Sequence, residues 1–276
     1  MSDRAVSQAL HPRKSNVQLN PETVKRICSL AQKRNYRPHA SARAMRSGRF
    51  FNIGYFEAKQ NPTNYPLRGA EDGICDRANF HGYRIVLIRI PSDVSKDENP
   101  IPFVFREAHL DALVVSNVGR LSPECKEAID VSGLPVVYLN EKRAKNAVYV
   151  EDFAAMKKVT GHLLEQGYRK ISYLGTSSSN KIDPRFEHYS VQDRVGGYEA
   201  AMAAAGLHSQ ILHFSADWQN DFGRWYKENH DAEAIVCPGD LAVLRLFRTL
   251  YRDRVRVPED LALTGADAPT AISLLD

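Results

Sequence analysis

The stretch Asp152–Gly175, DFAAMKKVTGHLLEQGYRKISYLG, reads as a helix closed by Gly167 and followed at once by a strand, KISYLG. That unit repeats on both sides. Before it, FNIGYF, YRIVLIRI, DALVVS and PVVYL are strand-like runs separated by helical or connecting stretches. After it come ILHF, AIVC and LALTG. Strands alternating with helices in this way predict an α/β body built on open, doubly wound parallel sheets. The polar stretch Asn140–Val150 interrupts the series and is expected to divide the body into two lobes, 50–145 and 146–276. In such folds ligands bind outside the carboxyl ends of the strands, so the cleft between the lobes is the expected ligand site.

The 276 residues, 43% of them hydrophobic, suffice for a sizeable core. Four cysteines (Cys28, Cys75, Cys125 and Cys237) stand far apart without a CxxC pair, which indicates reduced thiols rather than a disulfide framework or a zinc site. The amino terminus carries no apolar signal core, and no apolar run reaches membrane-spanning length. A cytoplasmic protein is expected, with no metal and no cofactor.

The total charge of +4 is unevenly spread: residues 1–49 hold eleven Lys and Arg against Asp3 and Glu22, a net of +9, which leaves −5 for the rest. A basic module on a mildly acidic body is the footprint of polyanion binding, although a basic run can also serve only to solubilise. Within it NPETVKRICSLAQKRNY has helix signals at both ends, with Asn20 as cap, Pro21 at the first position and Lys33 and Arg34 in the last turn. Val24, Ile27, Cys28 and Ala31 give it an apolar face. A shorter helix, RAVSQAL, precedes it. The stretch YRPHASARAMRSGRF (36–50) then carries four arginines, no acid, and one large apolar residue, Met45.

Taken in order, AVSQAL, NPETVKRI, NYRPHASARAMRSG, NIGYF, LDALVVSN, LPVVYLN, VYVEDFAAMKKVTGHLLEQGYRKISYLG, QDRVGGYEAAMAAAGL, AIVCPGDLAVLRLFRTL and VPEDLALTGAD resemble the lactose-repressor/galactose-repressor (LacI/GalR) family of bacterial transcription regulators. The resemblance covers nearly the whole chain. It implies a periplasmic-binding-protein-like, two-lobed body (50–276) preceded by a partial helix-turn-helix headpiece (1–49), with a hinge helix at about 39–46. It begins inside the helix-turn-helix and stops short of the second lobe's closing segments, so the natural start is expected upstream.

By the same resemblance Asp3, Arg4 and Gln8 occupy outward positions of a recognition helix that reaches base edges, and Ser7 and Thr23 fall where hydroxyls meet phosphates. His39 opens the hinge helix. Met45 becomes an apolar wedge in the minor groove, against the alternative that it is core under the first strand. Asp3 could equally cap its helix. The implied partners are a pseudo-palindromic DNA operator, a second copy of the chain as homodimer, and a small-molecule effector of carbohydrate type.

The effector contacts implied are Tyr65, Asp152, Arg194, Trp218 and Asp267. Carboxylates and a guanidinium suit neighbouring hydroxyls, and an aromatic ring suits a sugar face. Each has a structural alternative: Asp152 as helix cap, Arg194 paired with Asp193 or Glu199, Trp218 in the core, Asp267 ending a strand. Arg194 is expected at the start of a helix, where a cation opposes the helix dipole unless a ligand lies opposite. No P-loop, dinucleotide fingerprint, HExxH or GxSxG occurs, so no catalytic residues are expected. A two-lobed sugar receptor is the rival class, but it has no use for a +9 headpiece.

Overall fold

Asn20 opens the second helix as its sequence signals require. Its side-chain oxygen accepts from the Glu22 amide at 2.9 Å, with Pro21 at the first helical position. The computed structural model describes residues 3–10, 19–36, 44–45, 47–58, 68–90, 109–116, 123–175, 188–214 and 217–266; of Arg4 and Trp218 it describes only the backbone. His39, Tyr65 and Asp267, expected from the sequence to be functional, lie outside these residues.

Helix α1 (Asp3–Leu10) packs on α2 (Pro21–Lys33) through Ala9 and Ile27, both buried, and the Cys28 thiol donates to the Ala9 carbonyl. The apolar face of α2 is narrower than its spacing suggested: Val24 and Ala31 are half-buried and Cys28 is exposed. Such a pair buries little apolar area, so it contributes little stability by itself.

The body contains two parallel sheets. In the first, β1 (Asn52–Ala58), α3 (Arg68–Phe80), β2 (Arg84–Ile90), β3 (Ala112–Ser116), α4 (Pro123–Val131), β4 (Val136–Leu139) and β5 (Ala147–Val148) give the strand order β2-β1-β3-β4-β5. Its core gathers Phe56, Leu113, Val115, Ile129 and Tyr138. The second contains α5 (Asp152–Glu165), β6 (Ile171–Leu174), α6 (Tyr189–Ala204), β7 (Gln210–Leu212), α7 (Trp218–Glu228), β8 (Ala234–Val236), α8 (Asp240–Arg252) and β9 (Ala262–Thr264), with order β7-β6-β8-β9.

Alternation along β8 shows the double winding. Ala234 and Val236 join Met156, Tyr173, Tyr198 and Met202 on the α5–α6 face, while Ile235 joins Phe222, Leu246 and Leu250 on the α7–α8 face. All eight strand-like runs of the sequence are strands. Strand β5 was not expected. It lies in the polar stretch assigned to the lobe break, pairing with β4 through Tyr138 N to Asn146 O and Asn140 N to Val148 O at 2.8 and 2.7 Å. Two residues are too few to display an alternation, so no apolar pattern marks it.

Helices α5 and α6 approach closely because position 197 has no side chain. A Cβ there would lie 2.3 Å from the Phe153 carbonyl oxygen and 3.0 Å from the Lys157 nitrogen, both backbone atoms. The same turn buries Tyr198, whose hydroxyl donates to Ile171 O at 2.8 Å and accepts from Gln210 N at 2.9 Å, tying α6 to β6 and β7. Gly197→Ala is therefore expected to lower stability by about 1–3 kcal/mol through overpacking. Gly196→Ala, whose Cβ would meet only the Phe153 ring at 3.4 Å, should be neutral or stabilising. Urea unfolding midpoints of the two variants check this contrast.

Candidate functional site

At the carboxyl ends of the second sheet, Asp152 and Arg194 are in direct contact. Asp152 is the first residue of α5 and is buried; Arg194 Nε donates to its Oδ1 at 2.6 Å. A carboxylate suits the positive end of a helix. The guanidinium also donates through Nη1 to the Pro238 carbonyl, just past β8. Asp152 is thus no side-chain cap, since α5 has no capping side-chain hydrogen bond, and Arg194 pairs with neither Asp193 nor Glu199. Asp193 is engaged by Lys142 at 2.8 Å.

The expectation that Arg194 opens its helix is corrected. Helix α6 begins five residues earlier at Tyr189, with His188 as its cap, so Arg194 lies in the second turn. His188 lacks the short oxygen-bearing side chain that usually marks a cap, and the helix start was therefore misread. Its Nδ1 accepts from the Ser190 amide at 3.4 Å, and its Nε2 faces the Asn140 carbonyl at 2.8 Å, which requires the proton on Nε2.

Around this pair the loop ends add polar groups that the sequence reading passed over. Asp240, the first residue of α8, is buried, and Gly265, just past β9, admits its carboxylate: a Cβ there would lie 2.5 Å from Asp240 Oδ1. The Thr264 hydroxyl is buried without a hydrogen-bond partner among the described residues. Burial pushes the neighbouring Cys237 thiol up to about 12, with Asp240 adding to the shift, which makes it a poor nucleophile. The Tyr173 hydroxyl is also raised, chiefly by burial, with Arg194 opposing.

Helix α6 reaches the first sheet as well. Asn140, at the carboxyl end of β4 with φ +57°, offers its carbonyl to His188 and its side-chain oxygen to the Tyr189 hydroxyl at 3.2 Å. Tyr189 OH accepts from Val150 N at 3.1 Å, and burial pushes that hydroxyl up to about 12. On the far side of the first sheet, Glu57 at the end of β1 is buried and accepts from Arg89 Nε at 3.2 Å. One helix therefore carries Arg194 at the second sheet and His188 and Tyr189 at the first. Asn140 follows its strand run directly and Asp240 follows AIVC after Pro238 and Gly239, so the carboxyl-end rule alone would have found both.

A separate cavity of about 370 Å³, lined in part by Lys170, Ser172, Gln210 and Asp231, opens at the amino ends of β6–β8. It holds none of the expected effector residues and lies at the end of a parallel sheet where ligands are not normally held.

Elsewhere, Asp3 is exposed in the first turn of α1, Ser7 and Gln8 are half-exposed on the same helix, and Thr23 is half-buried on α2. Met45 is 88% exposed on a helical turn that Gly48 N closes to Ala44 O at 2.8 Å, so it is not core under the first strand. Trp218 begins α7.

The folds and sequences of known proteins agree with this organisation. Residues 160–276 match the family description "Periplasmic binding protein-like domain". The HTH-type transcriptional regulator RegA of Clostridium saccharobutylicum is 25% identical, over 93% of this chain and 76% of its own. Catabolite control protein A of Staphylococcus xylosus is 27% identical, over 91% and 74%. Both are transcription regulators by name, and the chain is similar to each over about nine tenths of its length. Among solved structures, the Lac repressor bound to ONPG in the repressed state superposes with a TM-score of 0.71 at 15% identity, covering 98% of this chain and 81% of that one. A CelR–cellobiose complex gives 0.60 at 20%, covering 94% and 77%.

Because the side chain of Asp152 is only 4% exposed and that of Arg194 21%, breaking the pair from one side leaves a buried charge unpaired. Arg194→Ala should cost about 3–5 kcal/mol. The sequence offered an ion pair of Arg194 with Asp193 or Glu199 as the alternative to ligand binding; the pair formed is with Asp152. Adding Asp152→Ala to Arg194→Ala should restore part of that loss, and a double-mutant cycle by urea unfolding reads the coupling directly. Additive effects would show that the contact contributes nothing.

Proposed function

We propose that this chain is a homodimeric transcription regulator that binds a pseudo-palindromic DNA operator, with its affinity set by a carbohydrate effector held between two lobes, 50–145 and 146–276. The observation that carries the reading is the placement of Met45. A large apolar side chain stands out on a helical turn inside the +9 region, shortly before the first strand of the body. An exposed Met in an arginine-rich segment gains nothing from water, but it can wedge open a base step while the arginines meet phosphates. Asp3, Arg4 and Gln8 on α1 then face base edges, Ser7 and Thr23 meet phosphates, and His39 opens the hinge helix. The operator-bound Lac repressor dimer is among the similar structures and supports the fold of this arrangement.

For the effector, the Asp152–Arg194 pair offers a carboxylate and a guanidinium at the carboxyl ends of the sheet, and Thr264 carries a buried hydroxyl at the end of β9. Adjacent donors and acceptors of this kind match the vicinal hydroxyls of a sugar. Tyr65, Trp218 and Asp267 complete the proposed site, the two aromatics by stacking on an apolar sugar face. The protein acts in the cytoplasm, where DNA and effector meet. An effector that favours an interlobe geometry separating the two hinge helices weakens operator binding, and one that brings them together strengthens it.

The test uses a duplex selected from a randomised pool by the unmodified protein, then compares Met45→Ala and Met45→Leu by gel shift and a DNA-bending assay. The Ala variant should bind about tenfold more weakly and bend the duplex less, because unstacking is no longer offset by the inserted side chain. The Leu variant should match the parent. Undiminished affinity and bending in Met45→Ala, or a pool from which no sequence is enriched, would contradict the reading.

A further inference from the structure

Between the turn that carries Met45 and strand β1, four consecutive backbone amides each have a fixed acceptor. Gly48 N donates to Ala44 O at 2.8 Å, and Arg49 N donates to Ser47 Oγ at 3.2 Å. Phe50 N donates to Asp111 Oδ1 at 2.9 Å, and Phe51 N donates to Asp111 Oδ2 at 2.6 Å. One carboxylate thus holds two successive N–H groups, an anion in a cradle of backbone amides. These are charge-assisted bonds, stronger and more directional than bonds between neutral groups.

Asp111 is not a loop residue that happens to lie nearby. It directly precedes β3, which pairs with β1 on one side and β4 on the other, and its own N–H donates to Asn52 O at 2.9 Å. Three consecutive residues, Phe50 to Asn52, are therefore bonded to this single side chain and its amide. His109 reinforces the contact by accepting from Asn52 Nδ2 at 3.1 Å and by an edge-on ring contact with Phe50 at 5.7 Å. Phe51 is held at φ +57°, a left-handed conformation uncommon for a bulky aromatic, with its ring against Tyr83 at 5.6 Å and its carbonyl accepting from Arg84 N at 2.9 Å. A flexible tether needs none of this. An exposed polar stretch such as Ser47–Arg49 would ordinarily swing freely against the sheet that follows it.

We propose that Asp111 is a positioning residue that fixes the orientation of the Met45 turn to the first sheet, so that displacement of this sheet is transmitted to the DNA-contacting segment. The inference rests on the reading that residues 1–49 meet DNA, but the coupling itself is a property of the joint and is measurable without DNA. Asp111 acts through the backbone of Phe50 and Phe51 and touches no ligand. The joint supplies a continuous path of held amides, and its mechanical effect is a matter of how narrowly it defines the position of Met45.

Pulsed dipolar spectroscopy tests this on the full chain, with Cys28, Cys75 and Cys125 replaced by Ser, nitroxides at Met45→Cys and Val137→Cys, and unlabelled protein in excess to suppress signals between subunits. A second pair, Val137→Cys with Tyr251→Cys, reports the body alone. Asp111→Asn keeps the size of the side chain but turns one acceptor into a donor facing an N–H. It should broaden the 45–137 distribution about twofold and leave the 137–251 distribution unchanged, since one of the two bonds is lost. Asp111→Ala should broaden it further. In the unlabelled protein Asp111→Asn should weaken binding to the selected duplex about tenfold while leaving binding to random-sequence duplex unaltered, because phosphate contacts do not depend on the joint. An unchanged 45–137 distribution in both variants would overturn the proposal, and so would equal broadening of both label pairs, which marks a general loss of structure. Failure to select any duplex would count against the DNA reading, with the label distances alone deciding the coupling.

Discussion

The close approach of α5 and α6 at Gly197 determines where the polar groups of the second sheet meet. Because the Phe153 carbonyl occupies the space of a Cβ at position 197, the two helices lie close enough for the first residue of one to contact the second turn of the other. The resulting Asp152–Arg194 pair would be costly if either partner were alone, since a buried charge without a partner is among the more destabilising features a fold can hold. The Pro238 carbonyl then joins the guanidinium to the end of β8. Two helices and a strand end are fixed by one half-buried cation.

That arrangement gives α6 a double role. Its second turn is bound to the second sheet, and its first turn is bound to the first sheet through Asn140, Tyr189 and the His188 ring, with Lys142 and Asp193 adding an ion pair at the edge. A ligand that alters how Arg194 and Asp152 are paired acts on the same helix that contacts Asn140. Asn140 ends β4, β4 lies beside β3, and Asp111 precedes β3. The path from the polar site to the Met45 turn is thus short in structural elements, although the residues are distant in sequence. The charge distribution follows the same division, with the excess positive charge confined to residues 1–49 and the body mildly acidic.

The parallel α/β architecture was legible because buried strands announce themselves as apolar runs between helices, and all eight runs became strands. Asn20 and Gly167 were legible for a different reason: each supplies a local geometry, a side-chain acceptor at 2.9 Å and a φ of +98°, that its residue type favours. Strand β5 was hidden because two residues carry no period. The start of α6 was hidden because His188 caps it with a ring nitrogen. The Asp152–Arg194 contact could be anticipated only as two separate candidates, since nothing local says that residues 42 positions apart will pair. Asp111 was invisible for the same reason, with partners 60 and 61 residues earlier. A carboxylate ahead of an apolar run looks like any strand boundary.

The proposed sugar site at the Asp152–Arg194 pair is open to direct measurement. Calorimetric titration of the protein against a panel of mono- and disaccharides, repeated on Arg194→Lys, measures it. Lysine keeps the charge but cannot bond Asp152, Pro238 and a ligand in one planar fork, so the sugar that binds the parent should bind the variant about tenfold more weakly. A panel without a binding sugar, or a sugar bound as tightly by Arg194→Lys as by the parent, would contradict the account.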